Sequence, residues 1–384
     1  MTLDRRRIAV ILCGLASFLD LWATQSLLPM LAEELHATAV AVSFTVSMPP
    51  LAIALVAPWT GVVADVVGRK RAIVTAMFAL VVPTIMVGYS TTLGAIVFWR
   101  FCQGLFVPPI FAGTVAYIAD EFPPQEATGA TGLYTAAGVF GGFLSRFLTA
   151  LLAEHLGWRG AFLGLALLTA VFALGVLILM PRDRGFTSAT SLLGSAGQML
   201  RHFGDKRLVA TYSVGFCVLF TNVTIFTFIA FHLAAPPFAL STAALGLLFA
   251  TYLAGVITTP LAGRGVALLG RQRLVLIALA GWAAAMLVTL IPSLVAIVVG
   301  LALAASFGFM CQACSTSYVA LTARQARSSA VGLYVTAYYL GGSVGGVAAG
   351  LAWIVAGWPG CVGLALVVVA IVATLVWRFW TDEA

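Results

Sequence analysis

Asp20 and Arg100 are the residues whose chemistry conflicts most with their surroundings, because each lies inside a long apolar run. A carboxylate or a guanidinium in hydrocarbon is costly, so one that persists there faces a cavity, pairs with another group or takes part in ion movement. A carboxyl can shed that cost by binding a proton, whereas a guanidinium keeps its charge. Asp20 is therefore the candidate for proton binding, and Arg100 the candidate for coupling or state control. Counting about 1.5 Å per residue puts Arg100 roughly 10 Å below one membrane edge and Asp20 roughly 15–20 Å from the other, at nearly the same depth. A structural alternative stands beside this reading: Ser17 and Thr24 share the approximate helical face of Asp20 and offer it hydroxyls.

Other polar side chains in apolar runs are candidates for lining a substrate cavity. They are Gln25, Gln103 and Arg146 in the first half of the chain and Asn222, Tyr338 and Tyr339 in the second. Each has an ordinary packing alternative, since amides and phenols also bond helix to helix and Arg146 can snorkel outward. His36, His155, His202 and His232 are scattered, and the six cysteines follow neither a zinc spacing nor a disulfide framework. No P-loop and no nucleophile–base motif is present, so no cofactor, metal or enzymatic chemistry is expected, and work against a gradient would draw on an ion gradient.

The elements that must position these residues follow from composition. Of 384 residues, 62% are hydrophobic and 9% charged, where a soluble domain carries roughly 25% charged. The net charge of +7 sits in short clusters between apolar runs, which marks membrane edges and gives no nucleic-acid groove. A helix crossing hydrocarbon needs about 20 mostly apolar residues. Such stretches lie near 8–32, 41–64, 72–90, 93–118, 127–152 and 158–180, then near 207–232, 243–265, 273–291, 293–319, 328–354 and 357–379, which predicts twelve membrane-spanning helices in an all-α protein. The first is expected to be a retained helix. With the N-terminus inside, Arg5 to Arg7, Arg69 to Arg71 with Lys70, Arg271, Arg273 and Arg378 fall on the cytoplasmic side and Arg159 outside, so both termini are expected in the cytoplasm.

The weakly hydrophobic stretch 181–206 divides the chain into an N-terminal six-helix half, 1–180, and a C-terminal half, 207–384. The halves repeat one another. Gly132-Leu133-Tyr134 recurs as Gly332-Leu333-Tyr334, Gly141-Gly142 as Gly341-Gly342 and Gly157-Trp158 as Gly357-Trp358, while Pro58, Gly61, Gly68, Arg69 and Arg71 align with Pro260, Gly263, Gly270, Arg271 and Arg273. The paired glycines are expected to let helices approach closely. Two matched halves suit a path between them opened alternately to either side.

The segment Gly61-Val-Val-Ala-Asp65-Val-Val-Gly68-Arg69-Lys70-Arg71 resembles the loop between helices 2 and 3 of the major facilitator superfamily; its second copy, Gly263 to Arg273, has Ala267 where the acid would be. Arg100-Phe-Cys-Gln103-Gly104 is similar to the fourth-helix element of drug:proton antiporters in that superfamily. Ala23 to Pro29, Gly132 through Arg146, Ala235 to Ser241 and Tyr338 to Ser343 are similar to a narrower group, the YnfM-like efflux transporters often labelled arabinose-efflux permeases. The resemblance implies the major facilitator fold, with two pseudo-symmetric halves in the bacterial inner membrane. It also implies a cytoplasmic gate built from Gly61, Asp65, Gly68 and Arg69, in which Asp65 serves as a latch near the start of span eleven.

The resulting expectation is a secondary transporter, working as a monomer, in which proton entry drives a small organic or amphiphilic compound outward. Sugar export, and uniport or proton symport of a small metabolite, are alternatives within the class. A lipid-modifying membrane enzyme is the distant one.

Overall fold

In hydrocarbon every backbone N–H and C=O must find a partner within the chain, and a helix satisfies them within one segment. The computed structural model describes residues 4–181, 202–323 and 327–380, with the side chains at 60–67, 124, 320 and 327–329 outside that description. Among these residues every regular element is a helix, and eight helices are long and apolar enough to cross a bilayer. Two of the eight are double. Pro124–Leu179 has 56 residues and Arg327–Phe379 has 53, each about twice what a ~30 Å hydrocarbon layer needs. Thr242–Thr258 and Leu261–Leu269, bent by 50° next to Pro260, make one further span. A broken first span completes the twelve.

The double helices turn at Gly157 (φ 69°) and Gly357 (φ 60°), and the third and ninth spans begin after Gly68 (φ 94°) and Gly270 (φ 78°). All four are left-handed positions, which residues with a side chain adopt at a cost. They are also the glycines that pair between the repeats, so the duplication shows in the backbone as well as in the sequence. The expected close approaches occur too. A Cβ at Gly141 would lie 2.6 Å from the carbonyl oxygen of Leu15, and one at Gly341 would strike the carbonyl oxygen of Phe216.

The first span departs from expectation. The sequence predicts an unbroken helix near 8–32, but the helix Arg5–Leu19 stops before Asp20, turns occupy 20–27, and a second helix runs over Leu28–Glu34. Through the turns, the N–H groups of Ala23, Gln25 and Leu27 donate three residues back at 3.5, 3.0 and 3.0 Å. Pro29 is the local cause. It has no N–H to give to the carbonyl of Gln25, and its ring would press on that carbonyl, so it starts a new helix and cannot continue the old one.

The chain forms two compact units: the first holds the described residues up to Pro181 together with Ser241–Leu247, the second the rest. Most of the stretch 181–206, namely 182–201, lies outside the described residues. Within the first unit, span one packs on the double helix of spans five and six, and span four on spans two and three. Its core joins Cys13, Ile73, Met77, Ile110, Tyr117 and Tyr134. In the second unit, span seven packs on the double helix of spans eleven and twelve, and span nine on span ten. Ser241–Leu247, the start of span eight, packs on span five: Glu154 accepts from the Ala243 N–H at 2.8 Å, and a Cβ at Gly246 would lie 2.5 Å from that of Ala150.

Candidate functional site

The site grows from carbonyl oxygens that their own helices cannot satisfy. In span two, Ala39–Val67, Thr45 would accept a hydrogen bond from residue 49, but that residue is Pro49 and has no N–H. In span one, the turns over 20–27 take Leu21 and Asp20 out of the regular helical ladder. Buried carbonyls left in this way need another donor. Arg100, on span four and without exposed surface, supplies it. Its Nε donates to the Thr45 carbonyl at 2.9 Å, Nη1 to the Asp20 carbonyl at 2.6 Å, and Nη2 to the Leu21 carbonyl. Nη1 also donates to Gln103 Oε1 at 2.6 Å, one helical turn along the same span. The fixed fork of a guanidinium suits this task, since one side chain reaches three backbone oxygens and an amide.

The carboxylate of Asp20 points elsewhere. Oδ1 accepts from the hydroxyl of Thr84 on span three at 3.1 Å, and Oδ2 from that of Thr169 on span six at 2.8 Å. Asp20, Thr84 and Thr169 have no exposed surface. Arg100 and Asp20 thus meet through the main chain of residue 20, while the acid group itself is held by two neutral hydroxyls. A side-chain route nevertheless links them: Gln103 Nε2 donates to Thr84 Oγ1 at 2.8 Å, so Arg100, Gln103, Thr84 and Asp20 form one chain of hydrogen bonds.

Thr84 gives that chain two settings. Its hydroxyl has one proton and two acceptors in reach, Asp20 Oδ1 and the Leu80 carbonyl at 2.8 Å. An ionised Asp20 only accepts, so Thr84 donates to it. A protonated Asp20 has a proton to give, and Thr84 can receive it while turning its own proton to Leu80. Both states of the acid are then satisfied without moving a helix, which lets a buried carboxyl gain and lose a proton in place.

A second buried cation lies nearby in sequence. Arg146, 4% exposed, donates from Nε to Gln25 Oε1 at 2.7 Å and from Nη1 to the Gly142 carbonyl at 2.6 Å, and its guanidinium lies 5.0 Å from the centroid of the Trp22 ring. Ser26 donates to the Arg146 carbonyl at 2.8 Å, so the turns of span one hold this group as well as the first.

The structure therefore brings Asp20, Arg100 and Gln103 into one network and Gln25 with Arg146 into another. Asn222, Tyr338 and Tyr339 belong to the second unit, where Asn222 is 6% exposed and Tyr338 packs edge-on against Tyr339, ring centroids 5.3 Å apart. Of the gate motif, Gly68 makes the turn into span three and Arg69 Nε donates to Asp120 at 3.2 Å. The side chains of the Gly61 and Asp65 positions lie outside the described residues. Ser17 and Thr24 do not serve Asp20. Ser17 donates to the Cys13 carbonyl at 2.8 Å and Thr24 to that of Thr45 at 3.3 Å, because the break at residue 20 turns their helical face away from the carboxylate. Sequence reasoning did not single out Thr84, Thr169 or Thr45. The first two carried a signal, as hydroxyls inside apolar runs, but Thr45 acts through its carbonyl and carried none.

The sequence profile of the Major Facilitator Superfamily matches residues 10–234 and 211–384. The inner membrane transport protein YnfM of Escherichia coli strain K12 is 28% identical over 375 residues, covering 97% of this chain and 89% of that protein. Among solved structures, the nucleoside transporter NupG superposes with a TM-score of 0.81 at 15% identity, covering 98% of this chain and 100% of that one. A D-xylose–proton symporter superposes with a TM-score of 0.78 at 17% identity, covering 98% and 97%. At such identities the two structural likenesses speak to the fold.

Proposed function

Because the chain belongs to the Major Facilitator Superfamily and is a multi-pass membrane transporter, we propose that it couples the inward movement of protons to the export of a small organic or amphiphilic compound. The observation that carries the reading is the Asp20 carboxyl, buried, bonded to two neutral hydroxyls and joined through Thr84 and Gln103 to Arg100. A carboxylate clamped by a guanidinium is held ionised, whereas one held by hydroxyls can exist in either form. When the path faces outside, Asp20 takes up a proton, Thr84 turns toward Leu80, and the pull of the carboxylate on the hydrogen-bond chain to Arg100 is removed. Arg100 bridges the broken part of span one to span two, so a change in its bonding bears on the packing of both. Opening to the inside releases the proton and admits the substrate.

The cavity candidates Gln25, Gln103 and Arg146 from the first half and Asn222, Tyr338 and Tyr339 from the second would contact that substrate. Amides and phenols combine apolar area with single hydrogen bonds, which fits an amphiphile better than a multiply charged metabolite. The basic clusters support an inner-membrane location with both termini in the cytoplasm, and one copy carries both halves of the path. Asp65 and Arg69 would act at the cytoplasmic end of span two as the gate.

The test is reconstitution of the purified protein in liposomes carrying a pH-sensitive dye, with an imposed proton gradient and a panel of sugars, amphiphiles and organic anions. Proton movement that depends on substrate and is lost in Asp20→Asn supports the reading. Substrate flux that proceeds without proton movement makes the protein a uniporter, and proton and substrate moving in the same direction make it a symporter.

A further inference from the structure

The two repeats end differently at one membrane edge, and the difference leaves hydrogen-bond donors unused. In the N-terminal unit Arg69 Nε donates to Asp120 at 3.2 Å, and the neighbouring Lys70 Nζ donates to the Met180 carbonyl. The duplication places Arg271 and Gln272 at the same two positions. Gln272 takes over the task of Lys70: its Nε2 donates to the carbonyls of Val376, Trp377 and Trp380 at 3.1, 2.8 and 2.8 Å, where span twelve ends. Among the described residues, no acid pairs with Arg271 as Asp120 pairs with Arg69, and its Nε has no hydrogen-bond partner. Spans four and ten, Leu93–Glu121 and Leu294–Thr322, both have 29 residues, and aligned end to end they put Leu321 where Asp120 stands and Thr322 where Glu121 stands. Ala267 already replaces Asp65. The cation persists in the second copy, while Asp120, which answers it in the first, is replaced by Leu321.

More donors surround it. Among the described residues, Arg271 Nε, Tyr318 Oη, Thr322 Oγ1 and Trp380 Nε1 are buried and have no hydrogen-bond partner. Buried polar groups are almost always paired, so four orphans in one place call for an explanation. They do share one place. The Arg271 guanidinium lies 5.4 Å from the centroid of the Tyr318 ring, Tyr318 stacks on Trp380 with centroids 4.3 Å apart, and Thr322 follows Tyr318 by one helical turn on the same face. Tyr318 and Trp380 are 1% and 2% exposed. Every one of the four can donate, and a group rich in acceptor oxygens would use them together.

The position of the patch indicates where those oxygens come from. Arg271 starts the helix of span nine, Thr322 ends that of span ten and Trp380 follows that of span twelve, so the patch lies at the edge of the membrane. Phosphate groups of lipids lie at that depth, Trp and Tyr commonly anchor there, and the guanidinium fork matches phosphate oxygens in pairs. Lys206 and Arg378, whose charged groups lie 5.9 and 5.6 Å from the Phe379 ring, add positive potential beside it.

We propose that Arg271, Tyr318, Thr322 and Trp380 form a binding site for a phosphate group, presented by an anionic phospholipid headgroup or by free phosphate. The site is independent of proton coupling. The test uses the full-length protein, delipidated in detergent, with thermal unfolding and native mass spectrometry after addition of phosphatidylglycerol, of dioleoylglycerol, which lacks the phosphate, or of inorganic phosphate. Phosphatidylglycerol is expected to be retained and to raise the melting temperature. Its affinity is expected to fall about tenfold or more in Arg271→Gln and about two- to tenfold in Trp380→Phe and Tyr318→Phe, which keep the rings. Arg69→Gln, at the repeat position where the cation is already paired with Asp120, should bind as wild type does. Inorganic phosphate reproducing the shift would support the site and identify free phosphate as its occupant. Equal binding of phosphatidylglycerol and dioleoylglycerol, or wild-type affinity in Arg271→Gln, overturns the proposal. Should Arg271→Gln not fold, wild-type affinity in the Tyr318→Phe and Trp380→Phe pair overturns it equally.

Discussion

Asp20 is a buried acid whose two oxygens each take one threonine hydroxyl, and substitutions at that contact separate proton chemistry from packing. Asp20→Asn keeps the shape and removes the proton site, so substrate-dependent proton movement in liposomes should fall at least about tenfold, the size of a single lost functional ionisation, while the protein still purifies folded. Thr84→Val keeps the shape and removes the hydroxyl that links Asp20 to Gln103. The pH profile of coupled transport should then differ from wild type, with Thr84→Ser restoring it. A wild-type profile in Thr84→Val would mean that the hydroxyl only fills space. Arg100→Lys concentrates its donors at one point and cannot reach the Thr45, Asp20 and Leu21 carbonyls together; stability should drop by about 1–3 kcal/mol, read as a lower melting temperature. The candidates Asp20, Arg100 and Gln103 were legible because a charge or amide in an apolar run is visible by type. Their partners were less so, since three of the acceptors of Arg100 are main-chain oxygens, and a carbonyl is present at every position of every sequence.

At the scale of elements, length and apolarity gave the number of spans, because hydrocarbon thickness sets how long a helix must be. The break at residues 20–27 was harder to see. Pro29 signals it, yet prolines also sit inside continuous helices here, at Pro83 and at Pro108 and Pro109. At Pro49, inside the continuous helix of span two, the freed Thr45 carbonyl is taken up by Arg100 from another span, and that is a tertiary fact. Pro49→Ala tests the point: restoring an N–H gives the Thr45 carbonyl a helical partner in competition with Arg100. Transport should weaken while the melting temperature holds or rises, and a fall in both would assign Pro49 to packing. The turns between spans make a different prediction. No atom lies within 4 Å of a Cβ added at Gly157, so Gly157→Ala should cost about 1–2 kcal/mol through the left-handed backbone alone, and the same change at Gly357 should cost about as much.

Across the whole molecule, the duplication legible in the sequence reappears as matched turns at Gly68 and Gly270 and at Gly157 and Gly357. The two copies have nonetheless diverged in how they treat charge: Arg69 is answered by Asp120 within the first unit, whereas the position of Asp120 is Leu321 in the second copy and, among the described residues, no acid pairs with Arg271. Twelve crossings return the chain to the side on which it began, so single cysteines placed near the two ends should react with the same impermeant thiol reagent from the same side of oriented vesicles; opposite labelling would refute the even count. The clasp of Arg100 on main-chain oxygens bears on how such a protein changes over generations. Substitution at positions 21 and 45 leaves the bond its acceptor, because a peptide oxygen remains whatever residue is encoded, although both side chains are buried. Insertion or deletion of one residue between the start of span one and Thr45 would instead rotate those oxygens out of reach, so the clasp should survive substitution at its acceptor positions and not a shift in length.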